Sequence, residues 1–93
     1  MNGFEWDDGN SAGNFAKHGV SFDEAASALL DPLALTVFDT AHSLSEDRWL
    51  TIGYSQASRL LLVVSTDRDM ETRIISARKA TTGERQIYEQ HNR

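Results

Sequence analysis

The chain has 93 residues, 40% apolar and 25% charged, with a formal net charge of −5 and no cysteine. That length closes one hydrophobic core, so residues 1–93 are read as a single domain without disulfides, thiolate metal sites or thiol catalysis. The longest apolar run, Leu60 to Val64, is far short of the ~20 residues of a membrane helix. Met1 to Asp8 also lack the basic and apolar regions of a signal peptide, so a soluble, cytoplasmic protein with no membrane partner is expected.

Phe4-Glu5-Trp6 alternates apolar and polar and reads as an edge strand. Asp8 to His18 is a poor helix: Asp7 or Asp8 caps it, but Gly9 and Gly13 each cost roughly 1 kcal/mol. Phe15 is its one large apolar anchor, and Gly19 is a natural stop. Ser21-Phe22-Asp23-Glu24 has the form of a capping box, and Phe22, Ala25, Ala26, Leu29 and Leu30 then lie on one helical stripe. Asp31-Pro32 ends this second helix, since the residue before proline is driven out of the helical region.

Beyond Pro32 the apolar period becomes two. Leu33–Phe38 reads as a strand, Asp39–Asp47 as a polar connection, and Arg48–Tyr54 as the next strand. Ser55–Ser58 is a turn. Arg59–Thr66 holds the most apolar stretch and is expected to be the central strand, covered on both faces. Asp67–Asp69 turns the chain into a last strand, Glu71–Lys79. Thr81-Thr82-Gly83-Glu84 is a second capping box, opening a helix to about Gln90 that only Ile87 and Tyr88 anchor. The order strand, helix, helix, four strands, helix predicts an α+β domain, with consecutive strands antiparallel and both early helices on one face.

Charge is unevenly spread. Residues 1–47 hold one base against nine acids, whereas residues 48–93 hold eight bases, seven of them arginine, against five acids. Guanidinium groups in that number either pair with the protein's own carboxylates or hold an anionic ligand such as phosphate. In a regular strand Arg73 and Arg78, five apart, face opposite ways unless a bulge intervenes. Arg48 begins a strand that adds a further cation to the sheet. Lys17 and His18 fit the end of a helix dipole, and His18 also fits a proton-transfer role. Glu24 and Glu84 are explained as capping-box partners. His18, His42 and His91 sit on three separate elements without metal-ligand spacing, so no metal or cofactor is expected. Tyr54 and Tyr88 can stack a base or cover an edge.

Together these residues resemble the BrnT family of type II toxins, of the RelE-like superfamily. The resemblance rests on Phe4-Glu5-Trp6-Asp7, Asn14, Lys17-His18-Gly19-Val20-Ser21-Phe22, Glu24-Ala25, Asp31-Pro32, His42-Ser43 and Glu46-x-Arg48. It continues through Ile52-Gly53, Leu61 to Val64, Arg73-Ile74-Ile75-Ser76-Ala77-Arg78-Lys79-Ala80-Thr81, Glu84-Arg85 and Tyr88-Glu89. It implies a RelE-like fold, with two N-terminal helices on a twisted antiparallel sheet and a C-terminal helix. It also implies a metal-independent ribonuclease that blocks translation, the ribose 2′-hydroxyl attacking the adjacent phosphate. The implied catalytic residues are Lys17, His18, Glu46, Arg48, Arg73, Ser76 and Arg78. Among them Arg48, Arg73 and Arg78 hold phosphate, and His18 or Glu46 moves the proton. Arg59, Lys79, Arg85, Tyr54 and Tyr88 are the expected further RNA contacts. The implied partner is a BrnA-like ribbon-helix-helix antitoxin in a heterotetramer, with operator DNA bound only through it. The glycine-rich first helix and the acidic net charge motivate an alternative, a catalytically weakened antitoxin-binding module acting in operon autorepression.

Overall fold

The computed structural model describes residues 3–44 and 46–93. In chain order the elements are β1 (Phe4–Glu5), α1 (Asp8–His18), α2 (Phe22–Leu29), β2 (Leu35–Phe38), a 3-10 turn (Thr40–His42), β3 (Arg48–Tyr54), β4 (Leu60–Arg68), β5 (Glu71–Lys79) and α3 (Thr82–His91). Ser45, within the expected polar connection, lies outside the described residues.

The local chemistry accounts for the helix ends. The Asp7 carboxylate accepts the Asn10 N–H at 2.9 Å and starts α1. Gly19, at φ 72°, ends it in the left-handed region that side chains avoid. Ser21 Oγ accepts the Glu24 N–H at 3.2 Å. The Glu24 carboxylate does not complete the expected box, because it is taken by Arg59 and Ser55. At α3 the box is complete: Thr81 Oγ1 accepts the Glu84 N–H at 3.2 Å, and the Thr81 N–H donates to Glu84 Oε1 at 2.9 Å.

The strands form one sheet in the order β1-β5-β4-β3-β2, and β4 is central as its composition predicts. The pairs among β2, β3, β4 and β5 are antiparallel, but β1 pairs parallel with β5, Phe4 opposite Thr72 and Glu5 opposite Arg73. The sheet is therefore mixed rather than wholly antiparallel. The reason is connectivity: two helices intervene between β1 and the rest, and such a crossover permits the parallel pairing that a hairpin cannot make.

Both early helices cover one face. Val20, Phe22, Ala25, Ala26 and Ala28 are buried there against Leu61, Val63, Ile74 and Ala77, with Phe4, Trp6 and Leu29 closing the margin. Complete burial of a side chain such as Phe22 stabilises by about 1.5–3 kcal/mol. Close approach of α2 to β3 requires Gly53, since a Cβ there would run into the Ala28 carbonyl oxygen. On the opposite face α3 covers only one end of the sheet, where Tyr88 packs on Ile52, Leu60 and Leu62. Ile87, the other expected anchor, is half exposed. The remainder of that face is open, and the residues exposed there are the basis of the site.

Candidate active site

Directly paired residues on neighbouring strands project to the same face. Arg48 pairs with Thr66, which pairs with Arg73; Leu50 pairs with Val64, which pairs with Ser76; Ile52 pairs with Leu62, which pairs with Arg78. Three rows of one face thus carry Arg48, Arg73, Ser76 and Arg78. A regular β5 cannot do this. Between Ser76 and Ile74 the register slips, so that Val64 opposes Ser76 while Ser65 opposes Ile74, leaving Ile75 unpaired. The bulge moves Arg73 onto the face of Ser76 and Arg78, which overturns the regular-strand expectation. Burial agrees: Ile74 and Ala77, three apart, both enter the helix-side core.

On this open face a cleft of about 370 Å³ is lined by Asp39, His42, Arg48, Leu50, Leu62, Val64, Ser76, Arg78 and Glu84. Its floor is apolar, and its rim carries two guanidinium groups and an imidazole beside two carboxylates. The cavity on the helix side, about 230 Å³, is lined by Phe4, Leu29, Thr36, Trp49, Thr51, Ser65, Asp67 and Thr72. That lining has an acid and no cation, so it does not suit a polyanion.

The arginines are unequally free. Arg48 is the least committed, with Glu46 at 3.9 Å, and Glu46 is shared with Arg68 at 3.7 Å. Pairs so long and so exposed contribute little to stability and yield readily to a phosphate. Arg73 is tied loosely to Glu5 at 3.5 Å across the β1–β5 pair and lies outside the cleft lining. Arg78 makes a two-pronged contact with Glu84, at 2.8 and 2.9 Å. The Arg78 guanidinium holds the Glu84 carboxyl below its ordinary range, helped by the Thr81 N–H and against the cost of burial. Arg78 is therefore held in place while half neutralised.

The other expected residues lie elsewhere. Lys17 and His18 form the last turn of α1, where the dipole favours cations, and neither lines the cleft. Arg59 is no free RNA contact: its Nε donates to Glu24 at 2.9 Å and its Nη2 to the Gly19 carbonyl at 2.8 Å. It fastens β4 to the start of α2. Tyr88 is likewise withdrawn, 5% exposed, with its hydroxyl donating to Asp31 at 2.6 Å. Burial and that bond push its phenol up to about 12. A ring so covered has no face for a base. Lys79 pairs with Leu61, a helix-side core residue, and so points away from Arg78. Tyr54 and Arg85 are exposed and joined, Arg85 Nη1 donating to the Tyr54 hydroxyl at 2.9 Å, and Tyr54 packs edge-on against Tyr88.

These ties carry a pH signature. Glu24 is lowered first by its bonds from Arg59. Asp31, although burial opposes its charge, is lowered on balance by the Tyr54 N–H, the Tyr88 hydroxyl and the Leu33 N–H. A carboxylate whose folded pKa lies below its unfolded one stabilises fully above the unfolded value and loses that contribution as pH falls through the folded one. Stability measured by urea unfolding is expected to be flat down to about pH 5 and to fall progressively below it. Glu24→Gln should flatten the fall.

Two cleft residues were not anticipated as site residues. His42, set aside for lacking metal-ligand spacing, and Asp39, read as loop, face each other at 3.0 Å beside Arg48. The i,i+3 spacing of an acid and a histidine was the available signal, but only the 3-10 turn gives it meaning.

A family model described as the ribonuclease toxin BrnT of type II toxin-antitoxin systems matches residues 6–84, a span containing every residue of the cleft. The crystal structure of the Brucella abortus ribonuclease toxin BrnT is similar, with 26% sequence identity and a TM-score of 0.66 over 85% of this chain and 96% of that one. No curated protein matches the chain. The order of elements, the α+β architecture and the extent of the family match agree, and the chain belongs to the BrnT family of ribonuclease toxins of type II toxin-antitoxin systems.

Proposed function

We propose that the protein cleaves RNA in the Arg48–Ser76–Arg78 cleft, by attack of a ribose 2′-hydroxyl on the adjacent phosphate and without help from a metal ion. The observation that carries this reading is the pairing of β3, β4 and β5, which puts Arg48, Ser76 and Arg78 around one open cleft. Two guanidinium groups aimed at one phosphate stabilise the charge gathered on its oxygens as the fifth bond forms. Ser76 adds a hydroxyl donor, and the apolar floor of Leu50, Leu62 and Val64 lowers the local dielectric, strengthening both contacts. Glu46 positions Arg48 from the rim, and Arg73 extends the cationic track toward β1. Tyr54 with Arg85 offers an aromatic face and a cation to a flanking nucleotide. Lys17 and His18 are assigned to terminating α1 and not to the chemistry.

The family match favours cleavage over the binding-only alternative, and a type II system implies an antitoxin partner. We assign that partner as a BrnA-like ribbon-helix-helix protein forming a heterotetramer, through which operator DNA is bound, in the cytoplasm. Expression of the chain alone in a bacterium should arrest growth, and co-expression with the neighbouring reading frame should relieve it. Purified protein should cut RNA in a chelator at the same rate as without it. Cleavage abolished by chelator and restored by a divalent ion would overturn the metal-free mechanism. Failure to cut RNA or to slow growth would overturn the cleft as an active site.

A further inference from the structure

We infer that His42, oriented by Asp39, is the proton donor to the leaving group in this cleft. The inference rests on the RNA-cleaving reading above and deepens it. His42 Nδ1 stands 3.0 Å from Asp39 Oδ2, with the Asp39 side chain 12% exposed and the His42 side chain 71% exposed. One ring nitrogen is thus fixed against a largely covered carboxylate while the rest of the ring remains open to the cleft mouth. Hydrogen bonds within the loop and to the start of β3 hold the pair in place. The Asp39 N–H donates to the Arg48 carbonyl at 2.8 Å, closing the loop onto the first residue of β3. Ser43 Oγ donates to the Asp39 carbonyl at 2.5 Å and accepts the Arg48 N–H at 3.0 Å. The His42 N–H donates to the Asp39 carbonyl at 3.3 Å. Histidine and aspartate are therefore bonded to the backbone of Arg48, and the His42 and Arg48 side chains line the same cleft.

The other acids in and beside the cleft are otherwise engaged. Glu84 is held ionised by Arg78, and Glu46 is shared between Arg48 and Arg68. Imidazole is also a side chain suited to proton transfer, and the Asp39 contact fixes the orientation of the His42 ring. In the step assigned, the 2′-oxygen forms its bond to phosphorus and gives its proton to water. The bond from phosphorus to the 5′-oxygen breaks, and that oxygen takes the proton from His42 Nε2. The products are a 2′,3′-cyclic phosphate and a free 5′-hydroxyl, and the imidazole regains a proton from solvent.

The test uses the full chain and two RNA oligonucleotides, one natural and one with sulfur replacing the 5′-oxygen at the linkage the wild type cuts. A thiolate departs without protonation, so the sulfur substrate bypasses a proton donor. His42→Ala should slow cleavage of natural RNA by about 10²–10³-fold while cutting the sulfur substrate within a few fold of wild type. Asp39→Asn should show the same selectivity in a milder form. The proposal is overturned if His42→Ala cuts natural RNA like wild type, or if it loses both substrates equally, which a merely structural role would produce. A wild type that cuts neither RNA sinks the RNA-cleaving reading itself and this assignment with it. Wild-type cleavage left intact by the variant sinks this assignment alone.

Discussion

Removing either cleft guanidinium, by Arg48→Ala or Arg78→Ala, should lower the rate of RNA cleavage by about 10²–10³-fold, the usual loss for one preorganised donor to a developing oxyanion. The two variants should differ in their second effect. Among the described residues the Arg48 side chain makes only a long rim contact to Glu46, so its removal should leave unfolding within about 0.5 kcal/mol of wild type. Arg78 joins β5 to the start of α3 through Glu84, so its loss strips a partly buried carboxylate of its partner and should also destabilise. Arg78→Lys keeps the charge but loses the two-pronged geometry, and is expected to recover part of the stability and little of the rate. Losses in the double variant should be less than additive, since both groups act on one phosphate. Arg59→Ala is the matching control, costing stability through the α2–β4 tie while leaving the rate per folded molecule unchanged. Single-turnover cleavage with parallel urea unfolding measures all of this. Wild-type rates in both single alanine variants would show that the cleft does not hold the reacting phosphate.

The largest expected stability effect is at a polar residue. Asn14 is 8% exposed in α1, and its amide bridges to the margin of the sheet. Its Nδ2 donates to the Val20 and Ala77 carbonyls, both at 2.8 Å, while its Oδ1 accepts the Ala77 N–H at 3.2 Å. Among the described residues, β1 pairs with β5 at Thr72 and Arg73. Farther along, the Asn14 side chain therefore does for Ala77 what a longer β1 would do. Asn14→Leu leaves one N–H and two carbonyls buried without partners, at about 1–3 kcal/mol each. A loss of roughly 3 kcal/mol or more is expected, a large share of the 5–15 kcal/mol typical of a domain. Asn14→Asp should be no better, since it presents acceptors to two carbonyls. A change in urea midpoint equivalent to less than about 0.5 kcal/mol would mean that solvent reaches the β5 edge and replaces the amide.

Much of the fold is local chemistry and could be read from residue order. Asp7, Gly19, Ser21 and Thr81 mark helix ends because their side chains, or the absence of one, act on backbone groups a few residues away. Leu60 to Val64 announces the central strand, and Leu60 to Val63 are buried, while Val64 is only half-buried on the floor of the open cleft. What local order could not give was partnership. Glu24 has the spacing of a capping residue, yet its carboxylate goes to Arg59, thirty-five residues away. Tyr88 reads as a ring that either stacks a base or covers an edge, and enclosure by Asp31 and the sheet decides between them.

The candidate site divides along the same line. Sequence alone determined that this protein would carry several arginines on the later strands of an α+β sheet and would have no thiol. The side-chain period of a strand is two, so one unpaired residue, Ile75, reverses the facing of everything beyond it, and nothing in the composition of β5 marks that slip. Only the pairing of β5 with β4 decided that Arg73, Ser76 and Arg78 share a face. Only the closing of the Asp39–Ser43 loop onto Arg48 set a histidine and its carboxylate at the edge of that face. Facing and enclosure are settled by long-range contacts, which residue order encodes only through the folded whole.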